Sequence, residues 1–284
     1  MNGIVIVDKP CGITSHDVVS RMRRIFKTRR VGHSGTLDPM ATGVLPIFIG
    51  RATRACEFAL SDEKAYTARF RLGVVTDTQD ITGEILEERE VRVSKEDVFA
   101  ACESFCGNIM QTPPMFSAIK VDGVPLYKLA REGKTVERKS REITIHSIAA
   151  RHIDGDEYEI DVACSKGTYI RTLIYDIGEK LGCGASMTAL RRTKSGIFCI
   201  DDARTIEEIE ADPTVTSLDF MFSELESKTI DAAGEKKCRN GADVPADAKS
   251  GVLYRVYGES GEFLMVAEGK ENGALKTVKS FFEV

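Results

Sequence analysis

The sequence predicts an α+β protein in which a large mixed part is followed by a small β domain. Three observations carry that reading. Lys64–Leu72 alternates apolar and polar residues with the period of a half-buried strand, and Ile143–Ile153 and Tyr158–Cys164 do the same around an Asp154-Gly155-Asp156 turn. Helix signals stand between and before these strands, at Asp17–Phe26 and Lys95–Phe105. Beyond Gly241, short apolar runs at Val244-Pro245, Leu253–Tyr257, Phe263–Ala267 and Leu275–Phe282 are separated by glycine-containing turns, the pattern of a small β domain. A chain of 284 residues is long enough for two domains, and the expected boundary near 225–232 divides it into 1–225 and 226–284.

Asn2–Val7 is a β-branched run that Asp8-Lys9-Pro10 brings to an end, because proline cannot donate to a ladder. Thr14-Ser15-His16-Asp17 offers N-cap residues for the first helix. Its Val18, Val19, Met22, Ile25 and Phe26 share one face and leave Arg21, Arg23 and Arg24 towards the other. Gly32–Ile47, reading G-H-S-G-T-L-D-P-M-A-T-G-V-L-P-I, packs three glycines, two prolines and three hydroxyl residues together and is expected to be a tight, irregular loop. Asp38 lies in its middle, beside Pro39, whose fixed φ and missing N–H restrain the backbone next to the carboxylate. A catalytic carboxylate needs such placement. An isolated Leu-Asp-Pro is also common turn chemistry, with the aspartate accepting backbone hydrogen bonds.

Arg54–Leu60 reads as helix, and the strand after it sets Tyr66, Ala68, Phe70 and Leu72 on one side, which by itself makes Tyr66 a core residue. Asp77-Thr78-Gln79-Asp80 follows, and Gly83 turns the chain into the next strand. Ser94-Lys95-Glu96-Asp97 is a capping box for the second helix, on which Cys102 and Cys106 stand one turn apart and are expected to pack as apolar residues. Val121-Asp122-Gly123-Val124 reads as a hairpin turn, and Lys128–Arg141 is a basic region that suits RNA contact and a solvated face equally. The strand at Tyr158–Cys164 runs into C-S-K-G-T-Y-I-R-T-L, where Arg171 opens a helix; alone, such an arginine is an ordinary surface residue. Gly182-Cys183-Gly184 is not a dinucleotide loop, since Met187 stands where the third glycine would be. Asp201–Glu226 is acidic and helix-prone.

Composition excludes several classes. No apolar run approaches the roughly 18 residues of a membrane span. Ile4–Val7 is too short for a signal-peptide core. None of the eight cysteines forms a C-x-x-C pair, so a zinc site has little support and reduced thiols in a cytosol are the default. The net charge of −5 is unevenly spread: residues 1–60 hold nine Lys/Arg against four acids, whereas residues 201–232 hold ten acids against Arg204 and Lys228. Phosphate binding depends on local potential, so a basic face can coexist with an acidic one.

The long motifs carry a resemblance. G-H-S-G-T-L-D-P-M-A-T-G-V-L-P from Gly32, K-A-Y at Lys64–Tyr66 and C-S-K-G-T-Y-I-R-T-L at Cys164–Leu173 resemble, without a gap, the motifs of the TruB family of tRNA pseudouridine synthases. D-K-P-C-G-I-T-S at Asp8–Ser15 and Q-T-P-P-M-F-S-A-I-K at Gln111–Lys120 also follow that family. The resemblance covers about residues 2–200 with specific motifs. Beyond it, R-N-G at Arg239–Gly241 and the V-Y-x-x-x-G-x-F-L hairpin look like the PUA-type RNA-binding domain of bacterial members.

The resemblance implies the pseudouridine synthase fold, with a large mixed, mostly antiparallel sheet flanked by helices. It implies Asp38 as the catalytic residue, Tyr66 stacking on the target base, Arg171 pairing with Asp38 and Tyr169 lining the pocket. A guanidinium beside Asp38 would lower its pKa and keep it ionised. Asp80, in a T-D-x-x-D-x-x-G segment, is expected to hydrogen-bond the nucleotide, and His33 to fill the gap left in the RNA stack. Lys9 is left between a phosphate contact, a contact to the active-site carboxylate and a turn residue; Leu190-Arg191-Arg192-Thr193 is expected to line the RNA groove. The implied substrate is uridine 55 in the TΨC loop of tRNA, flipped from its stack and isomerised. The chemistry calls for no cofactor and no metal; tRNA is the partner, with no membrane, and a cytoplasmic monomer is the default. Two rivals stand beside this reading. One is an RNA-binding or RNA-folding protein without catalysis, against which the intact Asp38 loop argues. The other is a nucleoside hydrolase or glycosidase using Asp38, which ordinarily needs a second carboxylate or a cation.

Overall fold

β1 (Gly3–Lys9) is apolar on both faces because both are covered: Val5 and Val7 face the helices of the large domain, while Ile4 and Ile6 join a second apolar cluster. The structure, a computed structural model, describes residues 1–59 and 63–282. α1 (Ser15–Ile25) starts at Ser15, two residues before the expected Asp17, because Thr14 and Asp17 form a reciprocal capping box. β2 (Val31–His33) and β3 (Thr42–Ile49) follow, and β4 (Glu63–Leu72) is the predicted alternating strand, with Tyr66, Ala68, Phe70 and Leu72 buried.

β5 (Val74–Thr76) and β6 (Ile85–Glu88) pair as a short excursion, and α2 (Lys95–Glu103) carries the predicted capping box at Ser94 and Asp97. β7 (Gly107–Gln111) leads to a small hairpin of β8 (Lys120–Val121) and β9 (Val124–Pro125), whose Asp122 and Gly123 both have positive φ as a primed turn requires. α3 (Leu126–Arg131) precedes the long pair β10 (Arg141–Asp154) and β11 (Glu157–Ser165). α4 (Ile170–Leu181), β12 (Ala185–Ser195), β13 (Phe198–Cys199) and α5 (Ile206–Ala211) complete the large part.

The main sheet has the order β1-β3-β12-β4-β11-β10-β7, with β2 added to β3 and β13 to β12. Every pairing in it is antiparallel except β12 with β3, so it is mixed and mostly antiparallel, as expected. α1, α2, α4 and α5 bury their apolar faces against one side of it in a single cluster. A second sheet is built from β14 (Glu226–Ile230), then, after α6 (Ala232–Arg239), β15 (Val244–Pro245), β16 (Leu253–Gly258), β17 (Phe263–Gly269) and β18 (Ala274–Ser280), in the order β14-β16-β17-β18-β15. Its Val266 and Phe281 pack with Phe222 against Ile4, Ile6 and Phe48, which joins the second sheet to the back of β1 and β3. Among the described residues, no helix is long and apolar enough to cross a membrane.

Four local expectations are corrected. Gly32–Ile47 is irregular only between His33 and Thr42; its ends are β2 and β3, because the apolar run Val44–Ile49 is fully buried between the two clusters and burial outweighs the local turn signals. The helix expected at Arg54–Leu60 is a 3-10 turn displaced to Gly50–Ala55, and Leu60 lies outside the described residues. Asp201–Glu226 holds only the six-residue α5 and two 3-10 turns, because Asp212-Pro213 ends the helix and Arg204 and Thr216 bridge to the outer edge of β1 instead. Cys102 packs in the core as expected, whereas Cys106 falls past the end of α2 and is exposed. The helix α6, capped by Asp231, was not foreseen.

α4 must lie close to β12 to aim its first turn at the site, and Gly178 permits this. A methyl there would stand 2.2 Å from the backbone nitrogen of Ala185. Gly178→Ala gains helix propensity of about 1 kcal/mol, but displacing α4 from the sheet costs about 1–3 kcal/mol. A net loss of stability is therefore expected in urea unfolding, and an unchanged or raised midpoint would contradict this account of the packing.

Candidate active site

The loop between β2 and β3 is held from three sides by donors aimed at its carbonyls. Ser15, at the start of α1, accepts from the Leu37 N–H at 2.9 Å and donates to the Leu37 carbonyl at 3.2 Å. Lys9, at the end of β1, is wholly buried, and its ammonium donates to the carbonyls of Pro10 (2.8 Å), Ile13 (2.7 Å) and Pro39 (3.2 Å). Arg192 of β12 donates to Val44 and Gly35. A loop with few internal bonds leaves carbonyls that need partners, and these side chains supply them. Asp38 is thereby fixed at the point where the loop faces α4.

Across the gap, Gln111 at the end of β7 clamps the backbone of Tyr169: its amide donates to the Tyr169 carbonyl at 3.1 Å and its carbonyl accepts from the Tyr169 N–H at 2.8 Å. Tyr169 is the N-cap of α4, so the clamp sets where Arg171 points. One Arg171 nitrogen lies 3.1 Å from the Asp38 carboxylate and also donates to the Phe116 carbonyl at 2.8 Å; the other donates to the Thr78 carbonyl at 3.3 Å and lies 3.7 Å from Asp80. Arg171 is 6 % exposed and Asp38 38 %, so the arginine is sealed behind a carboxylate that remains open to the cleft. The cleft has a volume of about 850 Å³, within the range that takes a nucleotide-sized ligand.

Asp38, Tyr66, Arg171, Tyr169, His33, Asp80 and Leu190 all line this one cavity. Three of the expected roles change. Lys9 does not reach into the cavity: its three donors are spent on backbone carbonyls, which makes it a fastener of the loop beside Pro39. Asp80 has one carboxylate oxygen occupied by the Thr78 hydroxyl and the Thr82 N–H and hydroxyl, and its other oxygen faces Arg171. It buttresses the arginine. Arg192 is buried rather than lining a groove, while Arg191 pairs with Asp8 at 2.7 Å.

Arg171 lowers the Asp38 pKa as expected, but the net shift runs the other way. The Asp38 pKa is raised above 3.8, because burial is the largest influence; Asp80 adds to it, and the lowering by Arg171 and Lys9 does not overcome the two. His33 is pushed the other way, below 6.5, by burial and by the charge of Arg192, which keeps its ring neutral at pH 7. Among the described residues, no group of three or more His, Cys, Asp or Glu is placed to hold a metal ion.

Sequence reasoning placed Ser15, Gln111 and Arg192 within motifs but missed what each of them holds. The first two are polar residues at the ends of regular elements, and nothing local tells which distant backbone they bind. Arg192 carried a local signal: it has the same inward parity as Leu190 in an alternating strand, where an arginine is out of place.

Comparison with known proteins bears on the same residues. A model of the N-terminal domain of TruB family pseudouridylate synthases matches residues 23–170, and a model of the tRNA pseudouridylate synthase B C-terminal domain matches residues 171–226. The tRNA pseudouridine synthase B of Clostridium perfringens (strain 13) is 42 % identical over 284 residues, which cover 96 % of this chain and 97 % of that protein. The protein of the same name from Syntrophotalea carbinolica is 52 % identical over 211 residues, 74 % of this chain and 69 % of that protein. Among solved structures, a Cbf5-Nop10-Gar1 complex matches with a TM-score of 0.72 and 27 % identity, over 99 % of this chain and 85 % of that chain. An H/ACA RNP bound to a substrate RNA containing 2'-deoxyuridine matches with a TM-score of 0.72 and 25 % identity, over 99 % and 85 %.

The balance at Asp38 is testable without any assay of activity. Carbon-13 titration of labelled aspartates should place Asp38 above the ordinary value; Asp80→Asn should move it down and Lys9→Met should move it up. Shifts of the opposite sign would show that the named charges do not govern it.

Proposed function

The chain belongs to the TruB family of pseudouridine synthases, and from that membership we propose that it isomerises uridine 55 in the TΨC loop of tRNA to pseudouridine. The observation that supports this most directly is the accessible Asp38 carboxylate, 3.1 Å from a buried guanidinium at the wall of a cavity that Tyr66 also lines. Relatives of this chain bear the name tRNA pseudouridine synthase B, which is the ground for tRNA as the substrate.

The reaction breaks the N1–C1′ bond, turns the uracil and forms a C5–C1′ bond; the C5 proton leaves and N1 gains one. Atoms and electrons balance within the nucleotide, so the demand on the protein is for placement, a nucleophile or base, and control of protons. A stacked uridine cannot reach Asp38, so the base must be everted into the cavity. His33, neutral and half-buried at the cavity wall, is the residue assigned to fill the vacated position in the RNA. Tyr66 stacks on the base, and Tyr169 and Leu190 bound the space around it. Arg171 orients Asp38, with Asp80 holding Arg171 from behind.

Asp38 serves as nucleophile at C1′, as nucleophile at C6, or as the base that helps form a glycal. All three roles require the ionised carboxylate. Because burial raises its pKa, ionisation is lost at a higher pH than for an ordinary aspartate, and the rate falls as pH drops through that value. Residues 1–225 are assigned as the catalytic domain and 226–284 as an RNA-binding domain that extends the tRNA contact.

Release of tritium from C5-labelled uridine in a tRNA transcript tests the reading. Asp38→Asn should slow release on the order of 10⁴-fold or more while leaving transcript binding close to that of the unaltered protein. A transcript with cytidine at position 55 should release none from that site. Liberation of free uracil would instead point to glycosidase chemistry, and retained activity in Asp38→Asn would remove the carboxylate from the mechanism.

A further inference from the structure

Arg192 is the largest of the fully buried side chains, 1 % exposed, and among the described residues it forms no ion pair. A buried guanidinium without a carboxylate is expensive, and a site that needed only packing would be served by an apolar side chain of similar volume. What meets Arg192 is instead the active-site machinery. Its Nε donates to the Val44 carbonyl at 2.8 Å and one Nη to the Gly35 carbonyl at 2.9 Å, so its two bonds bracket Asp38 along the loop. It stands directly opposite Tyr66 in the β12–β4 ladder, both side chains are buried, and its charge acts on the phenol.

The loop is also shaped around it. A methyl on Gly35 would lie 3.2 Å from the other Nη of Arg192, and one on Gly43 would lie 2.2 Å from the Arg192 carbonyl oxygen. Both glycines have positive φ, +74° and +99°; Gly35 makes room for the guanidinium, whereas Gly43 faces the backbone of position 192 in the β3–β12 pairing. An arginine that touched only the loop would be a fastener like Lys9. Arg192 differs because it bonds to the loop that carries the carboxylate and is the direct cross-strand neighbour of the ring assigned to the base.

We propose that Arg192 is a positioning residue for the isomerisation, a single buried guanidinium that holds the Asp38 loop and the Tyr66 ring in a fixed relation. The proposal rests on the isomerase reading above. Its role is to keep the carboxylate and the stacked base at reacting distance, so its loss acts on the chemical step rather than on tRNA capture.

The test is single-turnover tritium release from C5-labelled tRNA transcript, together with the transcript Kd, for Arg192→Lys, Arg192→Met and Tyr66→Phe and for Arg192→Met combined with Tyr66→Phe. Arg192→Met is expected to lower the rate constant about 100-fold and Arg192→Lys less, with Kd held within about threefold, since misplacement of reacting groups by roughly 1 Å has an effect of that size. In the Tyr66→Phe background, which lacks the phenol hydroxyl, Arg192→Met should lose distinctly less than it does alone. Gly35→Ala, which crowds the guanidinium but leaves it in place, should also slow the rate constant with Kd retained, and it decides the matter if the Arg192 variants do not fold. Wild-type rate constants in Arg192→Met or, failing that, in Gly35→Ala would overturn the proposal. So would a loss of the same size with and without the Tyr66 hydroxyl. Absence of tritium release from the unaltered protein would overturn the isomerase reading instead.

Discussion

The ion pair between Asp38 and Arg171 is the contact around which the large domain is arranged. Its two members come from segments that have nothing to do with each other locally, a loop between β2 and β3 and the first turn of α4. Neither segment has enough internal bonding to hold its place. The loop is fastened by Lys9, Ser15 and Arg192; the first turn of α4 is fastened by the Gln111 clamp, with Asp80, Thr78 and Phe116 around the arginine. Lys9, Ser15, Arg192 and Gln111 sit on four different elements, β1, α1, β12 and β7, whereas Thr78, Asp80 and Phe116 lie in connecting turns. The sheet therefore acts as a frame that converts many ordinary hydrogen bonds into one precise separation.

That frame also sets the electrostatics. Enclosing Asp38 disfavours its charge, and the second carboxylate at Asp80 disfavours it further, while Arg171 and Lys9 work the other way. A carboxylate made less stable as an anion by its surroundings, yet left open on one side to the cleft, is more basic and less solvated than one in water. Lys9, which ties down a backbone carbonyl of the loop, thus also bears on the acid at its centre. Structure and reactivity share a residue here, since buried Lys9 serves both; buried Arg192 is offset by the Val44 and Gly35 carbonyls it satisfies.

Charge elsewhere in the chain is separated by position. The basic residues of α1 and the following loop lie on the large domain, whereas the acidic stretch after β12 runs along the outer edge of β1, bridging to it at Ile4 and Val7. There it covers a strand edge that would otherwise expose unpaired backbone groups. Two of its apolar residues, Leu218 and Phe222, continue into the cluster that seats the second sheet. The net negative charge of the protein therefore arises largely from a segment with a structural task, away from the cavity.

Alternation along β4, β10 and β11, the capping boxes at Thr14 and Ser94 and the Asp122-Gly123 turn were legible in the sequence, because each depends on residues within a few positions of one another. So were the candidates Asp38, Tyr66, Tyr169 and Arg171, through the long motifs around them, and the tertiary structure gathers all four at one cavity. Other features were decided only by the fold. The motif's second half became a core strand because both of its faces are buried, and Asp201–Glu226 was diverted from helix by the need to cover an edge. Lys9 and Arg192 proved to be buried fasteners, and the Asp38 pKa rose where a neighbouring arginine alone would have lowered it. Burial and long-range field are sums over residues far apart in the chain, and no window of sequence contains them.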